Sequence, residues 1–172
     1  EGLKLAVNVG AMLLVFVAII AGINFFLENA LGSWTGINSW VYISTGGTFE
    51  TLSLEYILGQ AFRIMAFVMG VEWNDTLVVG SLLGQKTVIN EFIAYANLAE
   101  IKESGVLSEK SVVISTFVMC GFSNFSSIAI QIGGIGSIAP NQQALLSKLG
   151  FKALFAATIA CMMSATIAGV FY

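Results

Sequence analysis

Two apolar runs frame this chain. Leu3 to Leu27 and Lys148 to Tyr172 are each long enough, at about 1.5 Å of rise per residue, to cross a hydrocarbon core of about 30 Å as a helix with some tilt. The segments between them are also rich in apolar residues, yet they come in pieces too short to cross alone. In lipid every backbone N–H and C=O must find a partner within the protein. Half-length pieces therefore survive only as helical hairpins or broken helices shielded by protein or by a water-filled cavity. Composition places the chain in that solvent: 57% of its 172 residues are hydrophobic, 10% are charged and the mean hydropathy is +0.89. A soluble domain carries roughly a quarter charged residues. The fold expected is an all-α integral membrane protein, with spanning helices, a re-entrant helical hairpin and a broken transmembrane helix.

Other classes fall away on charge and chemistry. A net charge of −3 and a pI near 4.8 leave no basic stripe to neutralise phosphates, so no nucleic-acid partner is expected. The chain has no histidine, and Cys120 and Cys161 lie in apolar runs without CxxC spacing. No metal site or disulfide is expected, and both cysteines read as small buried packing residues. The sequence opens at Glu1-Gly2 rather than at a methionine, which reads as a piece of a longer protein. Leu3 to Leu27 lacks the basic start and small-residue cleavage site of a signal peptide.

Between the two spans the pattern changes several times. Val41 to Thr51 is a polar connection rich in Gly, Ser and Thr, and Leu54 to Met69 mixes Glu55, Gln60 and Arg63 with large apolar residues. The mixture predicts an amphipathic helix at the membrane interface, within residues 53–70. Asn74-Asp75 suits a helix start, and TLVVGSLLG then runs to Gly84, a natural stop. With a turn at Gln85-Lys86 and a second half-helix from Thr87 to Glu100, residues 74–100 form the re-entrant hairpin, Gly80 and Gly84 packing its two arms closely. Ser108 caps the next helix, Gly121-Phe122-Ser123-Asn124 interrupts it, and residues 108–138 read as the broken helix. Residues 142–172 form the last span. Lys4, Lys148 and Lys152, set against Glu1 alone, mark the cytoplasmic face.

The polar residues inside this apolar frame are the candidates for function. A carboxylate in lipid costs several kcal/mol, so Glu91 is a functional-site hypothesis whose partner must be found. An ion pair with Lys86 is one reading, but five positions is poor helical geometry, and Lys86 can instead snorkel from the hairpin tip. On the other reading Glu91 accepts hydrogen bonds from a polar solute, with Asn90 capping the tip or adding a donor. Asn124, Ser126 and Ser127 sit at the break, and with a carboxylate they can hold the vicinal hydroxyls of a sugar. Alternatively they satisfy only the backbone that the break frees. The two serines point about 100° apart on a helix, so one of them faces the cavity. A membrane-embedded enzyme using Glu91 with Ser127, or a non-transporting solute-binding or assembly subunit, would use the same residues. The enzyme is disfavoured, because the serine has no evident base.

Two motifs resemble a known family. GQKTVINEFIAY, Gly84 to Tyr95, is similar to the GxKxxxNEFVAY signature of the concentrative nucleoside transporters, with Ile93 where valine is usual. CGFSNFSSI, Cys120 to Ile128, resembles that family's CGFANFSSI, with Ser123 for alanine. The similarity extends more loosely through LSLEYILGQAF and MGVEWND to the closing AGVFY, and Ile64 departs from a proline found in many members. The resemblance implies the C-terminal half of an inverted-repeat symporter that imports nucleosides down a sodium or proton gradient. It further implies a multi-pass protein of the plasma (inner) membrane, assembled as a homotrimer, with residues 1–30 as a scaffold helix. Glu91, Asn124 and Ser127 would bind the ribose, and Phe122 would pack on the nucleoside. No cofactor is implied. The N-terminal half of the same transporter would be the partner that supplies most of the coupling-cation site and the contacts to the base.

Overall fold

The structure is a computed structural model that describes residues 2–172; Glu1, which entered the charge comparison above, lies outside the described residues. Every regular element among the described residues is helical. They divide into two compact units, the first ending at Leu58 and the second Gly59–Tyr172.

In the first unit α1 (Gly2–Phe26) continues without a break into a π-helical segment (Leu27–Gly32) and the single turn α2 (Ser33–Thr35). Val17–Thr35 within it is long and apolar enough to cross a membrane. Next comes α3 (Ile37–Ser44), so the start of the expected Val41 to Thr51 connection is helical. The physical reason is that Trp40, Val41, Tyr42 and Ile43 continue an apolar helical stretch, and the glycines begin only at Gly46. Two asparagines tie this unit together. Asn38 donates to Glu28 O (3.0 Å) and accepts from Leu52 N (2.9 Å). Asn24 accepts from Leu54 N (2.8 Å) and donates to Glu55 Oε2 (2.9 Å), fixing the start of α4 (Leu54–Val68).

The remainder of α4 belongs to the second unit, together with α5 (Thr76–Val88), α6 (Glu91–Ser104), α7 (Glu109–Met119), α8 (Phe125–Ile138), a 3₁₀ turn at Pro140–Gln142, and α9 (Gln143–Val170). Every residue of α5 from Thr76 to Lys86 is buried, so this helix forms the centre of the unit. Val79, Leu82 and Leu83 join Ala66, Ile114, Val118 and Ala165 in one core cluster. Its apolar residues are not confined to one stripe, and its buried Thr76, Ser81, Gln85 and Lys86 find partners inside the unit.

The hairpin departs from several expectations. Helix α5 runs through Gly84, Gln85 and Lys86, and the turn falls at Ile89-Asn90 instead. Gly84 is no stop because buried neighbours hold the helix beyond it, whereas Asn90 has an extended backbone and starts a new helix. Gly80 does not face the other hairpin arm. A Cβ there would lie 2.6 Å from Gly59 O, so the glycines let α4 and α5 approach backbone to backbone. Asp75 makes no side-chain cap of its own helix, because its carboxylate turns to Ser108. Cys120, at the end of α7, is exposed rather than buried, and Cys161 is half-buried.

Candidate functional site

The site grows from two helix starts of the same design. Asn90 is extended (φ −171°, ψ 169°) and its side chain accepts from Ile93 N at 2.9 Å, capping α6. Asn124 is also extended (φ −142°, ψ 167°) and accepts from Ser127 N at 2.7 Å, capping α8. Asparagine is among the best residues for this position, since its oxygen replaces a partner the first turn lacks. At the second cap the arrangement is reciprocal, because Asn124 N donates to Ser127 Oγ at 3.3 Å. The break at Gly121–Asn124 thus leaves a newly capped helix rather than a frayed end.

These two starts meet. Asn124 Nδ2 donates to Glu91 Oε2 at 2.7 Å, across 33 residues of sequence. Glu91 is the first residue of α6, where the positive end of the helix dipole favours a carboxylate. Ser126 Oγ donates to Asn124 Oδ1 (2.6 Å) and lies 3.5 Å from Ile89 O, which brings the hairpin turn against the break a second time. A carboxylate offers about four lone-pair sites, so one bond from Asn124 leaves Glu91 able to accept from a solute hydroxyl.

Beside the junction is a cavity of about 300 Å³, within the range of roughly 300–1,000 Å³ usual for small-molecule sites. Phe122, Ser123 and Ser127 line it, together with Gln131 of α8 and Leu149 and Ala153 of α9.

Of the residues singled out from sequence, Glu91, Asn124, Ser126 and Ser127 are brought together. Asn124 is 0% exposed and Ser127 3%. Asn90 caps α6 and directly precedes Glu91 in the chain. Phe122 is 54% exposed and borders the cavity. Ser127 Oγ donates to Asn124 O at 2.7 Å, so the hydroxyl is held by the cap it completes.

Lys86 overturns its reading as a snorkelling residue. It is 1% exposed, and its ammonium donates to Ser123 Oγ at 2.6 Å and to Val118 O at 3.2 Å. The signal that could have found it is local. Gln85-Lys86 has no turn chemistry, whereas Asn90-Glu91 reads as a cap followed by an acidic first turn. Sequence reasoning also passed over Gln85, which accepts from Asn97 Nδ2 and joins the hairpin arms, and Tyr95, whose hydroxyl donates to Thr116 O at 2.6 Å.

Comparison with known proteins identifies the relatives of this chain. A family model described as the Na+ dependent nucleoside transporter C-terminus matches residues 1–169. The Bacillus subtilis transporter YutK is 45% identical over 170 residues, covering 99% of this chain and 38% of that protein. Nucleoside permease NupC of Helicobacter pylori is 40% identical over 173 residues, with 99% and 38% covered. Human solute carrier family 28 member 3 is 36% identical over 183 residues, with 99% and 25% covered. Among solved structures, CNTnw in an inward-facing substrate-bound state superposes with a TM-score of 0.83 at 39% identity, over 98% of this chain and 38% of that one. A CNTnw variant in an outward-facing state gives 0.77, at the same identity and coverage. The chain therefore spans about 38% of the length of its bacterial relatives. With a family model matching nearly all of it, a shared all-helical membrane-transporter fold and both signature motifs in place, this integral membrane chain belongs to the concentrative nucleoside transporter family, of which it represents the C-terminal region.

Proposed function

We propose that the protein containing this chain is a secondary active symporter that imports nucleosides, coupled to a sodium or proton gradient, and that this chain supplies the ribose-binding part of the site. The observation that carries the reading is the 2.7 Å bond from Asn124 to Glu91, made where a hairpin turn and a helix break place two capped helix starts side by side. In a membrane such interruptions are stable when protein or a solute-filled cavity shields them, and transporters build their sites from them. Glu91 accepts from the ribose hydroxyls, Asn124 and Ser127 complete the polar wall, and Phe122 packs on the nucleoside. Asn90 acts through the start of α6. Residues 74–100 form a re-entrant hairpin, and residues 53–70 an interfacial helix.

Relatives that are nucleoside permeases support transport of nucleosides, and one matched structure is in a substrate-bound state. An enzyme that uses Ser127 as nucleophile is disfavoured, because its hydroxyl proton is directed at Asn124 O within the cap. The coupling cation and most contacts to the base belong to the upstream part of the protein. The complete transporter is a multi-pass protein of the plasma (inner) membrane and a homotrimer.

The test is Glu91→Gln in the full-length transporter, assayed by uptake of labelled uridine. Removing a partner of a hydrogen bond to a charged group costs about 1.5–3 kcal/mol, so KM is expected to rise roughly ten- to a hundredfold while expression is kept. Wild-type uptake kinetics would remove Glu91 from the site. Conversion of uridine into a different product would favour the enzyme.

A further inference from the structure

Among the described residues Lys86 is the largest fully buried side chain, and the ribose contacts leave it without a role. An ammonium out of water is costly unless fixed donors and acceptors meet it, so its surroundings identify its work. One of its acceptors lies just before the helix break and the other within it. Val118 O belongs to the last turn of α7, where unpaired carbonyls carry the negative end of the helix dipole. Ser123 immediately precedes Asn124, the cap of α8. Lys86 therefore ties both sides of the break to the hairpin.

Asp75 makes the matching contact at the other end. Its carboxylate accepts from Ser108 N at 3.0 Å and from Ser108 Oγ at 2.8 Å, at the start of α7. Thus α5 and α7 run parallel, with an acid of α5 at the positive end of α7 and a base of α5 at its negative end. The two anchors fix the register between hairpin and broken helix. They also close a ring: Lys86 leads along the chain to Glu91, Glu91 accepts from Asn124, and Asn124 adjoins Ser123, which accepts from Lys86.

We infer that Lys86 is a positioning residue for the solute site: it holds the helix break against the hairpin so that Glu91 and Asn124 present their polar groups to the same pair of ribose hydroxyls. The inference rests on the ribose-binding reading of Glu91, Asn124 and Ser127. It assigns Lys86 no contact with the solute.

The experiment uses the full-length transporter in proteoliposomes, with uridine and 2′,3′-dideoxyuridine as substrates. Lys86→Met keeps the length of the side chain without its charge. It is expected to raise the uridine KM by about tenfold or more, with the dideoxyuridine KM staying within about twofold of wild type, because only the first substrate uses the register. Ser123→Ala removes one acceptor and leaves the ammonium its bond to Val118 O, so it is expected to give the same selective loss at about three- to tenfold. If Lys86→Met fails to assemble, Ser123→Ala alone decides. Equal losses for both substrates, or no loss, would overturn the inference, since a residue that only stabilises the fold cannot distinguish the two nucleosides. Glu91→Gln run in parallel separates the levels. If it discriminates between the substrates while the Lys86 and Ser123 variants do not, the positioning role alone fails; if it does not discriminate, the ribose reading fails and takes this inference with it.

Discussion

Asn124 carries two tasks on one side chain. Its oxygen caps α8 through Ser127 N and its nitrogen donates to Glu91, so an alanine substitution would remove both contacts. Asn124→Ser separates them. Serine caps about as well as asparagine but is too short to reach across to the hairpin. Its melting temperature in detergent is expected to stay within a few degrees of wild type, while the uridine KM rises by about tenfold or more. Asn124→Ala should lose thermal stability as well, by about 1 kcal/mol for the cap. Ser127→Ala, read with uridine and its dideoxy analogue, asks whether the cavity-facing serine meets the ribose. A larger loss for uridine is expected, and equal losses would leave Ser127 a cap residue only.

At the level of elements, the hairpin is held by close backbone approach as much as by side chains. A Cβ at Gly80 would stand 2.6 Å from Gly59 O and one at Gly59 2.9 Å from Leu77 O, and a carbonyl in a helix cannot swing aside. Gly80→Ala is therefore expected to destabilise the transporter by about 1–3 kcal/mol, seen as a lower unfolding temperature and weaker membrane expression. Unchanged stability would mean that α4 and α5 separate more readily than their glycines imply. Helix propensity opposes this expectation, since alanine favours a helix by about 1 kcal/mol over glycine, so a measured loss would isolate the packing effect.

Across the whole molecule, the chain spans about 38% of the length of its bacterial relatives. Trp34, Ile64, Phe92, Ile138 and Phe155 are exposed in this chain, as expected of surfaces that lipid or the rest of the protein covers. Residues 1–172 expressed alone are expected to insert poorly or aggregate and to accumulate no nucleoside. Co-expression with the upstream part should restore both insertion and uptake. Gradient-driven uptake by the purified, reconstituted fragment would show that one hairpin and one broken helix suffice.

Local chemistry determined much of this protein. Apolar runs of spanning length, the Ser108 cap, the interruption at Gly121 to Asn124 and the two polar motifs follow from residue types and spacing, because caps, helix breaks and the cost of charge in lipid act over a few residues. Glu91 and Asn124 were legible as polar residues of one site, but the sequence set Glu91 inside the second half-helix, and only the turn at Ile89-Asn90 brings it to an interruption facing Asn124. Only the tertiary structure decided the rest. Local signals for the end of α5 conflict, Gly84 against the Asn90-Glu91 cap, and the core around the helix decided between them; Gly80 meets α4 because α4 lies on that side. The fate of the Lys86 ammonium was decided 32 and 37 residues away, at Val118 and Ser123. Sequence signals buried charge as a cost; which acceptors offset it depends on how distant helices pack.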